Sequence, residues 1–273
     1  DLAQHAAKKA LTNAGLNGGD IDLIIVATTT PDNTFPSTAT KLQHLIGAKT
    51  AIAFDVQAVC AGFVYALDIA EAMIQSGRGR RALVVGAESF SKLLDWEDRT
   101  TCVLFGDGAG AAVLQNRKNT HGLLTACMGA DGRKASILSQ PGGGSLHPAT
   151  DKSVSDRLHY LKMDGQEVFK NAVTAMTKAS KEALTRCELD ISQIKCIIPH
   201  QANMRILKAV RDRLGASEDQ VYSNLERYGN TSAASVAIAL DEAVQQGRVK
   251  RGDLILLLVF GAGLTWGAAV IEW

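Results

Sequence analysis

The chain has 273 residues, a hydrophobic content of 46%, a charged content of 21% and a formal net charge of +1. Such a chain is long enough to bury a sizeable core in one or two domains, and its apolar content excludes a disordered polymer. Near-neutral charge gives no global attraction to nucleic acid or a membrane surface, and no apolar run reaches the span of a bilayer.

In chain order, an amphipathic helix over 1–14 ends at Gly15 and leads to an apolar strand, Ile21 to Thr28. A Pro-bounded loop, Pro31 to Pro36, precedes a helix from about Ser37 to Ile46. A strand over 51–56 runs into Cys60, and the helical spacing of Phe63, Leu67, Ala70 and Ile74 predicts a buried helix that Gly77 stops. A strand from Ala82 to Gly86, an irregular segment 88–100, and strands near 101–105 and 109–115 complete the first half. Alternating helices and continuous apolar strands predict α/β layers with sheets covered on both faces.

The second half repeats the first. Leu11, Leu16, Ile21, Ile24 and Ile25 recur as Leu184, Leu189, Ile194, Ile197 and Ile198 at a constant offset of 173. Gly-Ala-Ala-Val-Leu at 110–114 recurs as Gly-Ala-Ala-Val-Ile at 267–271. Cys60 and Asn230 each lie 17 residues before a glycine, Gly77 and Gly247, which puts them at equivalent helix starts. Two related halves are therefore expected, 1–145 carrying Cys60 and 146–273 carrying His200 and Asn230, joined by the polar, Gly-rich stretch 139–157. A small-molecule site is expected in the cleft between them.

Three side chains carry the chemistry of that site. A thiol at the first turn of a helix sits among unpaired backbone N–H groups, which favour the thiolate; the competing reading of Cys60 is a small buried hydrophobe. His200 follows the strand 194–198 and can donate a hydrogen bond or carry a proton near neutral pH, although a lone histidine there is commonly structural. Asn230 opens an apolar helix, Val236 to Val244, where the alternative role is an N-cap. His5, His44, His121, His147 and His159 lie in helix or loop contexts without such company. The five cysteines form no C-x-x-C pair and are odd in number, which argues against a zinc site and a disulfide framework and suits a reducing cytoplasm.

These motifs together give the chain its likeness to a known family. Val59-Cys60-Ala61-Gly62-Phe63, Phe105-Gly106-Asp107-Gly108-Ala109-Gly110-Ala111, Pro199-His200-Gln201-Ala202-Asn203, Gly229-Asn230-Thr231-Ser232-Ala233 and Thr265-Trp266-Gly267 resemble those of the β-ketoacyl-[acyl-carrier-protein] synthase III family. The resemblance covers essentially the whole chain. It implies a thiolase-like, duplicated five-layer αβαβα fold. It also implies an opening strand, and a Trp- and Arg-bearing segment gripping the adenine of coenzyme A, that this sequence does not contain; residues are expected to precede Asp1. The terminal turn has Gly261-Ala262-Gly263 where thiolases carry a second cysteine, and the third polar position is Asn230 where elongating synthases use a histidine.

The resemblance further implies an acyltransferase that joins a short acyl-CoA, acetyl-CoA foremost, to malonyl-[acyl-carrier protein] by decarboxylative Claisen condensation. Cys60 would be the nucleophile, the N–H groups of Cys60 and Ala262 the oxyanion hole, and His200 with Asn230 the donors that stabilise the enolate. Arg99, Gly165, Phe169, Asn203 and Arg205 would line the coenzyme A or pantetheine tunnel. Phe90 and Phe105 would bound the acyl pocket, with Phe35 reaching in from the partner subunit of a homodimer. Lys170, Arg205, Lys208, Arg211 and Arg213 would dock the acidic carrier protein. Coenzyme A would serve as substrate, with no metal, no cofactor, no nucleic acid and no membrane partner, in the cytoplasm. Three readings compete: a secondary-metabolite ketosynthase of the same fold with another starter group, a Cys–His–Asn hydrolase, and a non-catalytic coenzyme A-binding module.

Overall fold

The computed structural model of the chain describes residues 1–116 and 122–273, so the reading of His121 lies outside the described residues. Helix α1 (Leu2–Ala14) buries Ala3, Ala7 and Leu11 on one stripe, and Gly15, at φ 66°, closes it by donating to Leu11 O and Thr12 O. Strand β1 (Leu23–Ala27), helix α2 (Thr38–Leu45), strand β2 (Ile52–Val56) and helix α3 (Gly62–Gln75) follow, then strands β3 (Arg81–Ser89) and β4 (Asp107–Gln115). Strand β5 (Gly122–Ala130), short strand β6 (Leu138–Ser139), helix α4 (Asp151–Ser155) and short strand β7 (Lys162–Met163) lead into the long helix α5 (Gly165–Arg186). The chain closes with strand β8 (Cys196–Pro199), helices α6 (Met204–Leu214), α7 (Leu225–Tyr228) and α8 (Ala234–Gln245), and strands β9 (Leu254–Gly261) and β10 (Thr265–Glu272).

Two four-stranded sheets form, in the orders β2-β1-β3-β4 and β5-β10-β9-β8. In each, the first strand of the internal repeat runs parallel to its neighbour, Leu23 opposite Ala82 and Cys196 opposite Ile255. A terminal antiparallel strand follows in each sheet, β4 on β3 and β10 on β9. The duplication extends to the turns. Asn17 caps a 3₁₀ turn at Gly18–Asp20, and Asp190, at the same offset of 173, caps one at Ile191–Gln193, both with reciprocal capping bonds.

Burial sorts the elements into five layers. Residues of α1 and α2 pack on one face of the first sheet, and residues of α5 and α6 pack on one face of the second. Between the sheets lie α3 and α8, whose Phe63, Val64, Leu67, Val236 and Leu240 share a core with Ile25, Val84, Ile198 and Leu257. A helix sandwiched by two sheets buries most of its surface, so both central helices are largely apolar, with Asp68, Glu71, Asp241 and Glu242 at half-buried positions.

Two expectations need correction. Residues 101–105 are a run of turns in place of a strand, with only Phe105 bridging to Asn230. Local acceptors capture that backbone: Asp98 O takes the N–H groups of Thr101 and Cys102, while Leu104 O takes that of Asn230. Strand β5 precedes residue 145 yet belongs to the second sheet, because its backbone pairs antiparallel with β10 from Thr265–Ala130 to Glu272–Gly122. The first sheet's own strands therefore end at β4, and the segment 139–157 falls after the chain has crossed between sheets.

Candidate active site

The two central helices start at the same place in the molecule, and the polar residues gather there. Cys60 lies in a 3₁₀ turn, Val59–Ala61, that feeds α3, with Val59 in the left-handed region at φ 47°. The terminal turn between β9 and β10 presses on this segment. A Cβ on Gly261 would lie 2.7 Å from Cys60 N and 3.1 Å from both Ala58 O and Ala61 N, so only glycine lets the two backbones meet. Thr265 Oγ1 reinforces the contact, donating to Ala58 O at 2.9 Å within reach of Ala262 O at 3.0 Å. The following residue, Ala262, packs against the aromatic cluster of Phe90 and Phe105.

His200 follows β8, and its backbone N–H donates to Leu258 O of the adjacent strand. The ring is 2% exposed, and Nδ1 lies 2.6 Å from Ser235 Oγ in α8. Burial pushes the imidazole down to about 3, so His200 is neutral at physiological pH. A neutral imidazole carries one proton, on Nε2 when Ser235 donates to Nδ1 and on Nδ1 when Ser235 accepts. Asn230 is locked by its backbone, whose N–H donates to Leu104 O at 2.8 Å and whose carbonyl accepts from Gly106 N at 2.9 Å. Its Oδ1 accepts the N–H of Ser232 at 2.8 Å, which leaves the NH₂ end of the carboxamide to meet a ligand. Buried Gln201 ties these loops together, donating to Pro199 O and accepting from Asn224 N.

Cys60, His200 and Asn230 line one cavity of about 920 Å³. Gly165, Phe169, Asn203, Arg205, Phe105 and Lys170 line it too, so the cavity runs from the sulfur between α5 and the start of α6. Thr100, Leu138, Met163, Val168 and Phe260 supply much of the remaining wall, and none of them stood out in the sequence. Asn203 also caps α6, accepting from Arg205 N at 2.8 Å. Phe90 stands behind the wall: its ring is buried and stacks on Phe105 with centroids 5.1 Å apart. Arg99 is exposed and outside the lining, one residue from Thr100, which does line it. Phe35 is 83% exposed on a loop.

The basic residues divide. Lys170 is paired with Glu167, and Arg211 with Asp212 and Glu218. Among the described residues, Arg205, Lys208 and Arg213 have no carboxylate within ion-pair distance, and all three are exposed.

The expected acidity of Cys60 is overturned. Burial pushes the thiol up to about 12, the Glu88 carboxyl adds to the shift, and hydrogen bonds from Ser232 and from the residue's own N–H recover only part of it. The helix start does not outweigh the desolvation of a thiol that is 4% exposed. Glu88 itself went unremarked in the sequence, where a single charge ending the apolar run 82–87 was its signal. Ser232 and Ser235 lay within the motif at 229–235 without standing out.

Similarity to known proteins agrees with this geometry. Residues 54–132 match the family described as 3-Oxoacyl-[acyl-carrier-protein (ACP)] synthase III, and residues 184–273 match 3-Oxoacyl-[acyl-carrier-protein (ACP)] synthase III C terminal. The β-ketoacyl-[acyl-carrier-protein] synthase III of Caldanaerobacter subterraneus subsp. tengcongensis is 53% identical over all of this chain and 82% of its own length. The crystal structure of 3-oxoacyl-[acyl-carrier-protein] synthase III from Aquifex aeolicus VF5 superposes with a TM-score of 0.91 at 45% identity, covering 99% of this chain and 83% of that one. The priming β-ketosynthase of the R1128 polyketide biosynthetic pathway superposes with a TM-score of 0.90 at 38% identity, covering 98% of this chain and 80% of that one.

Proposed function

The chain belongs to the 3-oxoacyl-[acyl-carrier-protein] synthase III family, and from that premise we propose how its own residues condense an acyl-CoA with malonyl-[acyl-carrier protein] to begin type II fatty acid synthesis. The observation that carries the proposal is the convergence of Cys60, His200 and Asn230 on a single cavity. Cys60 attacks the thioester carbonyl, and the oxyanion meets the N–H groups of Cys60 and Ala262 as coenzyme A leaves. The position of Gly261 against Cys60 N supports this, because it brings the terminal turn alongside the nucleophile.

Malonyl-carrier protein then loses CO₂, and the enolate oxygen accepts hydrogen bonds from the Asn230 carboxamide and from His200 Nε2, in the tautomer where Ser235 donates to Nδ1. Both donors are neutral, since burial keeps the imidazole uncharged, and a neutral donor stabilises the enolate without quenching its carbon nucleophile. Coenzyme A takes part as substrate, its pantetheine arm running past Gly165, Phe169, Asn203 and Arg205 in the cavity wall. Lys208 and Arg213, with Arg205 at the cavity mouth, attract the acidic carrier protein. Phe35 is the residue through which a homodimer partner would be engaged, and its exposure suits that role. The five free cysteines suit a cytoplasmic setting, and no helix among the described residues is long and apolar enough to cross a membrane.

The likeness to the R1128 priming ketosynthase favours one second reading, the same condensation with a different starter acyl group. Both are tested by supplying a panel of acyl-CoAs and then malonyl-carrier protein. Formation of 3-oxoacyl-carrier protein from acetyl-CoA supports initiation of fatty acid synthesis. Product from another starter alone favours the second reading, and acyl transfer to water alone would contradict both.

A further inference from the structure

We propose that Glu242, which stands outside the cavity, is the positioning residue for the condensation step. It holds the segment that delivers Asn230 and, through Asn224 and Gln201, the turn that carries His200. The inference rests on His200 and Asn230 being the enolate donors and adds the group that keeps them in register.

Glu242 is a half-buried residue of α8 and does not line the cavity. Four side chains donate to its carboxylate, and all four come from 222–228. Oε2 accepts from Asn224 Nδ2 at 2.8 Å, Arg227 Nη2 at 2.6 Å and Tyr222 Oη at 3.3 Å. Oε1 accepts from Tyr228 Oη at 2.5 Å. One carboxylate therefore grips the short helix α7 at both ends, at its N-cap Asn224 and at its last residue Tyr228. Asn230 lies two residues beyond Tyr228, across Gly229 at φ 65°. A glycine link does not stiffen the chain, so the place of Asn230 depends on anchors to either side. Its bonds to Leu104 O and Gly106 N are one anchor, and Glu242 is the other.

A second branch reaches His200. The backbone N–H of buried Asn224 donates to Gln201 Oε1 at 3.0 Å, and Gln201 Nε2 donates to Pro199 O at 2.7 Å. These bonds hold the residues on either side of His200. Ser235, which meets His200 Nδ1, precedes Glu242 by seven residues in α8 and shares its face of the helix. One rigid helix thus contacts the imidazole near its start and the Asn230 segment two turns on. Two donors must converge on one enolate oxygen, and a misplacement of about 1 Å can cost on the order of 100-fold. None of the four donors to Glu242 belongs to 58–62 or 261–265, the segments that supply the nucleophile and its oxyanion donors. Glu242 therefore acts on condensation and not on acylation.

Two single-turnover assays test this in Glu242→Ala, with Glu242→Gln as the conservative variant. One follows acetylation by acetyl-CoA through intact mass. The other follows CO₂ release when the acetylated protein meets increasing malonyl-carrier protein. In Glu242→Ala the maximal rate of CO₂ release should fall about tenfold, with acetylation and the half-saturating carrier concentration unchanged. Glu242→Gln keeps the side-chain length and an oxygen that can accept from Asn224, so it should recover part of the rate. Equal losses in both assays would overturn the inference, since they would mark Glu242 as general support for the fold. Unchanged CO₂ release, or a higher half-saturating concentration at an unchanged maximal rate, would overturn it too. If Glu242→Ala fails to fold, Glu242→Gln decides by the same criteria, with a smaller deficit expected in CO₂ release alone. Wild-type CO₂ release in both His200→Ala and Asn230→Ala would sink the donor assignment itself, and this inference with it.

Discussion

Ser235 Oγ of helix α8 lies 2.6 Å from His200 Nδ1 at the end of β8, so a residue in one central helix sets which nitrogen of the imidazole faces the cavity. A hydrogen bond of this kind contributes about 1 kcal/mol, or about fivefold in a rate that needs one tautomer. Ser235→Ala should slow decarboxylation by about that factor and leave acylation of Cys60 unchanged. Separate assays of the two half-reactions check this.

His200 also ties stability to pH. Its folded value near 3 lies below the ordinary 6.5, so between those values the unfolded chain holds the extra proton. Stability therefore falls as pH drops below about 6.5, with a contribution of about 1.4 kcal/mol per pH unit from this group. His200→Asn should flatten the slope of denaturant-derived stability against pH by about one proton over that window. Above pH 6.5 its stability should show no His200-dependent slope.

Gly261 is fixed by what lies beside it. A methyl there would meet Cys60 N, Ala58 O and Ala61 N, all backbone, so no side chain can swing away. Gly261→Ala should cost about 1–3 kcal/mol and misplace the nucleophile, lowering both Tm and kcat/KM for acyl-CoA. Calorimetry and steady-state assay of the same sample measure the two effects together.

Phe90 backs the cavity wall through its stack on Phe105. Phe90→Val removes volume behind that ring and lets Phe105 retreat, so longer acyl-CoA primers should gain relative to acetyl-CoA. A competition assay with mixed acyl-CoAs reads the shift as a ratio of products.

Lys208 separates the carrier protein from coenzyme A. It is exposed on α6 and absent from the cavity lining, whereas Arg205 lines the cavity. Lys208→Glu should raise KM for malonyl-carrier protein about threefold to tenfold at low salt, less at high salt, and leave acylation by acetyl-CoA unchanged. Arg205→Glu should impair both half-reactions.

Much of this arrangement was legible in the residues. Offset repeats such as Leu11 with Leu184, and the apolar runs of α3 and α8, predict two stacked α/β halves and a site at equivalent helix starts, because periodicity reports burial directly. Sheet membership of β5 was not legible, since pairing with β10 is made across more than a hundred residues and leaves no local mark. Residues 101–105 carry strand-forming side chains but lose their backbone acceptors and donors to Asp98 and Asn230. The acidity of Cys60 was misread for a related reason. A helix start is visible in sequence, while the depth of burial and the approach of Glu88 from β3 are products of the fold.

The claim that most depends on measurement is that Cys60 is the group acylated from acyl-CoA. Mass spectrometry of the protein after incubation with acetyl-CoA, followed by peptide mapping, tests it directly. The account predicts one acetyl group per chain on the peptide containing Cys60, and none on the Cys60→Ala variant. Acetylation of Cys102, Cys127, Cys187 or Cys196 in its place, or an undiminished yield in Cys60→Ala, would contradict it.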